Sequence, residues 1–334
     1  MKSWTKVLDT EGIDPHVGHM KYITYRNHGG PDVLELAEAP TPMPGPGEVR
    51  IQVRAAGVNP VDIQTRRGAY SEITVLPGKL GVEVAGVVDA LGAGVSSFSV
   101  GESVYYVPRL LENEGGYATH HIERHDLIAR MPNGLSFEQA AAIPLAGGTA
   151  WEALIERARL APGERVLILG GSGGVGIYAI QVAHLVGAEA TCTARLELSG
   201  NLRALGCDAV IDYRATDVLA QLREAGPFDV ALDTVGGNSV RDLLGLLNPR
   251  GRIVSIVDQH EPQDLYQGWG VNAEIHLLLT TQSRRRLDRV ARCIERGHIR
   301  PVIESTYALE KAAEAHARIE RGGRMGKIVL LVDQ

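Results

Sequence analysis

Val166 to Leu169 form a short apolar run that reads as a buried strand, and Ile177, Ile180 and Val182 open an apolar, helix-compatible run just beyond it. Between the two, Gly170, Gly173 and Gly176 recur at three-residue intervals, with Ser172, Gly174 and Val175 completing the loop. Glycine allows a tight turn and close backbone approach. Free N–H groups and the positive dipole end at a helix start attract phosphate. A flexible connection would also be rich in glycine, so the flanks decide. They repeat the same alternation. Strand-like runs follow at Glu189–Ala194, in the stretch ending near Arg214, from Phe228, from Gly251 and from Glu274, and helical patterns separate most of them. This spacing predicts a parallel, doubly wound sheet of the Rossmann type, with the glycine loop as a pyrophosphate cradle.

The half before the loop has another texture. Short β-like runs broken by glycine and proline, among them "PTPMPGPGE", "GVEVAGVVDALG" and "ESVYYVP", predict a compact β-barrel. Helix follows from Ser136 to Leu160 and again over 283–300, and "GKIVLLV" from Gly326 is a final strand expected to return to the barrel. The expected division is an extension over 1–19, a discontinuous barrel domain over 20–142 and 278–334, and a nucleotide domain over 143–277. Substrate belongs in the cleft between the two. Residues 1–19 read as an added tail or a misassigned start, with a short functional arm as the alternative.

Bulk numbers narrow the classes. The 334 residues are 44% hydrophobic and 22% charged, as in ordinary globular proteins. A formal charge of −6 argues against general nucleic-acid binding. No apolar run is long enough to span a bilayer, and the N-terminus lacks the apolar core of a secretory signal. Cys192, Cys207 and Cys293 are scattered, without metal-ligand spacing or a disulfide framework, which suits a reducing cytoplasm.

Taken in order, "GGPDVLEL", "AAGVNPVD", "GVEVAGVV", "GGYA", "AAAIPLAGGTAW", "GGSGGVG", "VIDYR", "DTVGG" and "GKIVLL" resemble the medium-chain dehydrogenase/reductase superfamily. The resemblance is to its zinc-independent quinone oxidoreductase and enoyl reductase branch and runs from about Met20 to Val332. It implies an α/β protein with a GroES-like barrel plus a Rossmann domain, usually assembled as homodimers. The zinc branch places a cysteine in the segment matching "AAGVNPVD" and a histidine in a "GHE" unit. Here Val58 and Asn59 occupy the first, and Gly81-Val82-Glu83 replaces the second. A catalytic zinc needs three protein ligands, and Glu83 alone cannot hold one. His120, His121 and His125 form the only histidine cluster; strand alternation sends neighbours to opposite faces, so they read as polar surface residues. The protein is expected to be metal-free.

Without a Lewis acid to favour an alkoxide, the resemblance implies hydride delivery from reduced nicotinamide to a quinone or to the activated C=C of an α,β-unsaturated carbonyl. Donors near the carbonyl oxygen would stabilise the developing charge. At the end of the second Rossmann strand, where NAD-preferring proteins place a carboxylate, Ala194 is followed by Arg195, which fits a 2′-phosphate and points to NADPH. Glu197 keeps the NAD role open, and Arg195 could be a solvated loop cation. Tyr213 matches a family position near that phosphate. Asn59 and Thr149 match positions at the nicotinamide end, with a turn side chain and a helix-start residue as the plain alternatives. Asp233 and Gly236 lie at a strand's C-terminal edge, and Ser255 and Ile256 are placed to bracket the carboxamide, unless they belong to a plain core strand.

The family pattern "N-x-x-D-x-Y-x-R-x-G" appears as "NPVDIQTRRG", with Gln64 where tyrosine stands. Gln64 can donate to a carbonyl oxygen but cannot release a proton as a phenol does, so water or Tyr70 must supply it. Arg66 keeps the pattern's cation, for a substrate oxygen or a structural ion pair. Arg285, Arg289, Arg292 and Arg296 share nearly one helix face, with Asp288 and Glu295 as nearby partners. They read as a solvated face, or as a dock for an acyl carrier protein or a coenzyme A thioester in an enoyl-thioester reductase. A non-catalytic NADPH-binding relative is the reading from another class. The apolar "EIHLLLTT" at a sheet edge needs cover and suggests a dimer.

Overall fold

The computed structural model describes residues 18–109, 115–237, 239–257 and 268–333; the expected extension therefore lies almost wholly outside the described residues. The nucleotide half is built on strands β9 (Arg165–Leu169), β10 (Glu189–Ala194), β11 (Ala209–Asp212), β12 (Phe228–Asp233), β13 (Leu247–Ser255) and β14 (Glu274–Leu277). They form one six-stranded sheet in the order β11-β10-β9-β12-β13-β14, all pairs parallel. Apolar side chains pack both faces. Val166, Ile168, Val230 and Val254 join the core on one side, and Leu167, Ala231 and Ile253 face another on the opposite side. That is the burial expected of parallel strands. The strand order reverses between β9 and β12, and the crevice at their C-terminal ends is where ligands gather in such sheets.

Helix α4 (Gly174–Val186) follows the glycine loop directly and is buried over Gly176–Ala183. Packed on it is α3 (Pro144–Trp151), where Gly147 lets the aromatic ring of Tyr178 approach. The predicted helix over 136–160 is divided. α2 (Phe137–Ala141) ends before Pro144, which cannot continue the ladder, and α3 passes into a π-helical stretch over Glu152–Arg157.

The other half contains β1 (His19–Tyr25), β2 (Glu35–Pro40) and β4 (Gly78–Lys79) as a three-stranded sheet. A larger seven-stranded sheet holds β3 (Glu48–Val58), β5 (Val84–Leu91), β6 (Ser103–Tyr106), β7 (His120–Arg124), β8 (Ala129–Arg130), β15 (Ile303–Ala308) and β16 (Lys327–Leu331). β16 pairs with β3, so the C-terminal "KIVLL" run closes this sheet and carries Lys327 to the end of β3 at Val58. α8 (Arg284–Glu295) turns Leu287, Val290, Ala291 and Ile294 into the core shared with α3 and α4, and α9 (Ala312–Glu320) packs on the barrel core. Among the described residues no helix is long and apolar enough to cross a membrane.

Two expectations need correction. His121 is buried rather than on the surface, its Nδ1 2.8 Å from the Tyr106 hydroxyl, because it takes the inward position of β7. His120 instead faces Asp89, and His125 faces Ser97. The anticipated partners of the arginine face also point elsewhere. Glu295 accepts from Asn133, Asp288 lies 3.9 Å from Arg284, and Arg289 lies 3.8 Å from Glu156.

Candidate active site

At the end of β9 the chain turns through Gly170 (φ 79°), whose N–H donates to Thr193 Oγ1 (2.9 Å), while the Gly171 N–H donates to the Thr193 carbonyl (2.9 Å). Only glycine fits Gly176: a β-carbon there would stand 2.7 Å from Gly171 Cα and closer still to the Gly170 carbonyl oxygen. The loop therefore packs closely against the first turn of α4, where Gly173, Gly174 and Val175 border the crevice. This cradle fits a dinucleotide pyrophosphate.

A cavity of about 120 Å³ opens beside it. Among the residues expected to bind cofactor, Asn59, Gly173, Gly174, Val175 and Ile256 line this cavity. Thr234, Arg324 and Lys327 line it too and were not singled out from the sequence. Thr149 is buried within α3; it is Ala146, about one turn earlier, that lines the cavity. Ser172 contributes its carbonyl, which accepts from the Gly326 N–H at 2.9 Å and ties the loop to the start of β16.

The floor of the cavity is a buried charge cluster. Glu83 is 0% exposed and Lys327 3%. The Lys327 ammonium lies 2.8 Å from Glu83 Oε2 and donates to the Val58 carbonyl (3.2 Å) and to Asn59 Oδ1. Glu83 also accepts from Asn59 Nδ2 (3.0 Å) and from the Leu145 (2.8 Å) and Ala146 (3.1 Å) N–H groups at the start of α3. One carboxylate thus ties barrel strands, the C-terminal strand and the first helix of the nucleotide half. Buried charges persist only when paired in this way. The Asn59 amide is held at both ends by protein, which fixes it as a wall of the cavity.

These donors do not suit a catalytic zinc. Glu83 is engaged by Lys327 and by α3, Val58 and Asn59 stand where a thiolate would be needed, and His120, His121 and His125 diverge. Among the described residues no group of three or more His, Cys, Asp or Glu side chains could hold a metal.

α1 (Pro60–Arg67) leaves the cavity wall at Pro60 and sorts its residues by helical period. Gln64 lies on the Pro60 side, and the Tyr70 hydroxyl donates to its Oε1 at 3.4 Å. Asp62, Ile63, Thr65 and Arg66 turn inward. The Arg66 guanidinium is fully buried and donates to the Gly29 carbonyl (3.1 Å), His316 Nδ1 (3.2 Å) and Glu320. Of the two roles open to it, the ion pair is the one the geometry shows. Because arginine only donates, His316 Nδ1 accepts, its Nε2–H faces the Tyr117 hydroxyl (3.4 Å), and Tyr117 donates to Asp62 Oδ2 (3.1 Å). Asp62 also receives the N–H groups of Asn59 (3.0 Å) and Gly81 (2.9 Å). A buried polar chain thus braces α1 from behind.

Burial pushes the Asp62 carboxyl up to about 6, against those donors, and pushes both His121 and His316 down to about 3. The two imidazoles bind protons only when unfolded between about pH 3 and 6.5, so their stabilisation is full above that window and lost as pH falls through it. Asp62 acts oppositely between about pH 4 and 6, where the folded form holds the extra proton. The histidines outnumber it by one proton. From these groups stability should fall by about 1.4 kcal/mol per pH unit on acidification from pH 6 to 4. Thermal melts across that range check this: His316→Gln should lower the midpoint at pH 7 and flatten the pH dependence, and an unchanged slope would refute the assignment.

At the adenosine end, Arg195 follows β10 and donates to the Gly323 carbonyl. Tyr213 is 52% exposed just after β11. Glu197 is paired with Arg214 (2.9 Å), which also holds Asp212 (2.8 Å); its own backbone N–H and then Arg214 keep the Glu197 carboxyl below its usual range, and Arg214 does the same for Asp212. Asp233 is buried, accepting from the Val235 and Gly236 N–H groups (3.0 Å each) and from the Ser255 hydroxyl (2.9 Å). Asp233, Gly236 and Ser255 therefore shape the strand ends around the cavity, and Thr234 and Ile256 present the surface.

Known proteins resemble this chain in sequence and fold. Residues 45–162 match the family model described as alcohol dehydrogenase GroES-like domain, and residues 205–330 the one described as zinc-binding dehydrogenase. The quinone oxidoreductase of Sus scrofa is 34% identical over 328 residues, covering 94% of this chain and 98% of that protein. The polyketide synthase GfsB of Streptomyces halstedii is 36% identical over 293 residues, 86% of this chain but 5% of the synthase. The structure of the quinone oxidoreductase from Coxiella burnetii superposes with a TM-score of 0.89 at 31% identity, over 95% of this chain and 100% of that one. The chain belongs to the medium-chain dehydrogenase/reductase superfamily, in its quinone oxidoreductase branch, whose members work with a nicotinamide cofactor.

Proposed function

We propose that the protein reduces a quinone or the conjugated C=C of an α,β-unsaturated carbonyl at the expense of NADPH, without a metal. The observation that carries this is the cavity itself, a glycine cradle beside a slot walled by the closed, buried Glu83–Lys327 pair and by the half-buried Arg324. Bound reduced nicotinamide supplies a hydride. The protein's part is to position and polarise. The glycine loop and the α4 N-terminus would hold the phosphates, and the Asn59–Lys327–Glu83 cluster fixes one wall of the cavity. Gln64 donates to the acceptor's carbonyl oxygen, and Tyr70 or water returns the proton. Following NADPH absorbance with a panel of quinones, enones and enoyl thioesters tests the reading. Tight cofactor binding with no oxidation by any member would favour a non-catalytic relative instead.

Arg195 supports NADPH over NADH because Glu197, the rival carboxylate, is already engaged by Arg214. Arg195→Ala should raise the NADPH dissociation constant roughly tenfold, as expected for loss of a charge-assisted contact, and leave that of NADH nearly unchanged. Titration by nicotinamide fluorescence measures both.

The match to a polyketide synthase segment favours a second reading, an enoyl-thioester reductase. Arg285, Arg292 and Arg296 are exposed on α8 and its end, available to an acidic carrier or a coenzyme A phosphate. Their charge reversal should then lower turnover of thioesters alone. A homodimer across β14 is part of the same proposal, since Leu277 and Leu279 are exposed at that sheet edge. A monomeric mass in dilute solution would refute it.

A further inference from the structure

Scattered in sequence, two of the cysteines meet in space. Cys192 on β10 and Cys207, just before β11, bring their sulfur atoms to 3.2 Å, both as buried free thiols. Their backbones are held in place. The Asp208 N–H donates to the Ala190 carbonyl (2.8 Å), and the Asp208 carboxylate accepts from the Ala190 N–H (2.7 Å). Cys192 also lies directly beneath the phosphate loop: a β-carbon on Gly171 would stand 2.6 Å from both its Cβ and its Sγ. The glycine at 171 and the thiol at 192 therefore share one packing space. Any movement of that sulfur is felt by the loop.

We propose that Cys192 and Cys207 form a reversible dithiol–disulfide site, closed by peroxides, whose oxidation loosens the dinucleotide cradle. Cys207, the less enclosed of the two, attacks peroxide as its thiolate. The O–O bond breaks, hydroxide leaves with the electron pair, and a sulfenic acid forms on Cys207. Cys192 then attacks that sulfur as its proton passes to the departing oxygen, giving the S–S bond and water. The two thiol protons end in two water molecules, the sulfurs together lose two electrons and the peroxide gains them. Bonding draws the sulfur atoms roughly 1 Å closer than they stand now. With the strand backbones anchored, closing that gap shifts Cys192 Sγ within the space it shares with Gly171, and the packing under the loop changes. Cys293, half-buried on α8, stands apart in the sequence and is replaced in the test so that it takes no part in the cross-linking.

The test uses the full chain carrying Cys293→Ser, treated with stoichiometric hydrogen peroxide, then alkylated and mapped by mass before and after dithiothreitol. The expected result is a peptide cross-link between Cys192 and Cys207 that dithiothreitol reverses. NADPH and NADH titrations of the oxidised form should show dissociation constants roughly tenfold higher, the effect of an approximately 1 Å misplacement of a binding loop. Cys207→Ser should form no cross-link and keep its affinity through peroxide treatment. Separate alkylation of both thiols after peroxide, irreversible sulfinic acid without a link, or a link that leaves dinucleotide affinity unchanged would each overturn the proposal. Absence of dinucleotide binding in the reduced protein would overturn the cofactor reading and with it the coupling, while the cross-link is judged by mass alone.

Discussion

Glu83→Ala should destabilise the protein by about 3–5 kcal/mol, the range for removing one partner of a buried ion pair. The loss has two parts. Lys327 would keep only the Val58 carbonyl and Asn59 Oδ1, leaving its ammonium without a counter-charge, and the Leu145 and Ala146 N–H groups would lose their acceptor at the head of α3. Urea unfolding measures the change. Glu83→Leu combined with Lys327→Met should recover much of it, because apolar replacement of a whole buried pair is often neutral. A loss below about 1 kcal/mol for the single variant, the value of an exposed pair, would show that water reaches the cluster.

Gly176→Ala should abolish measurable dinucleotide binding, with an increase of 100-fold or more in the dissociation constant, on the order of what misplaced loops cost. The added methyl would collide with the Gly170 carbonyl oxygen and the Gly171 backbone, neither of which can move without undoing the bonds to Thr193. Gly200→Ala, in α5 (Ser199–Arg203) of the same half, meets open space and should leave binding unchanged. Isothermal titration with NADPH distinguishes the two. Comparable affinities for both variants would mean that the cofactor lies elsewhere.

The nucleotide half was the most readable part of the sequence. Its strands are buried on both faces, so they announce themselves as apolar runs, and the glycine spacing has a local cause in the Gly170–Gly176 approach. The helical pattern over 136–160 runs through Pro144 as one element, whereas the chain breaks there into α2 and α3, with the proline opening the second. The cavity floor was harder. Lys327 opens an apolar strand and Glu83 opens another, and each alone looks like a polar strand end. Only the antiparallel pairing of both β16 and β5 with β3 brings them together. A signal existed in these two opposite charges at the heads of apolar strands, but the pairing register was not in the pattern. Arg66 could have been placed by period alone, since it follows Asp62 by one helical turn on the inward face and Gln64 follows Pro60 on the other. The sulfur contact of Cys192 with Cys207 depends on the register of β10 against β11, which spacing along the chain does not encode.

In the proposed reaction a conjugated acceptor in this slot receives hydride directly from the reduced nicotinamide. NADPH deuterated at the transferable C4 position, incubated with protein and an α,β-unsaturated ketone, tests it by mass and NMR of the product. One deuterium is expected on the carbon β to the carbonyl, with Gln64→Ala slowing its appearance. Reduced product without deuterium, or unreacted ketone alongside rapid turnover of simple aliphatic alcohols, would contradict it.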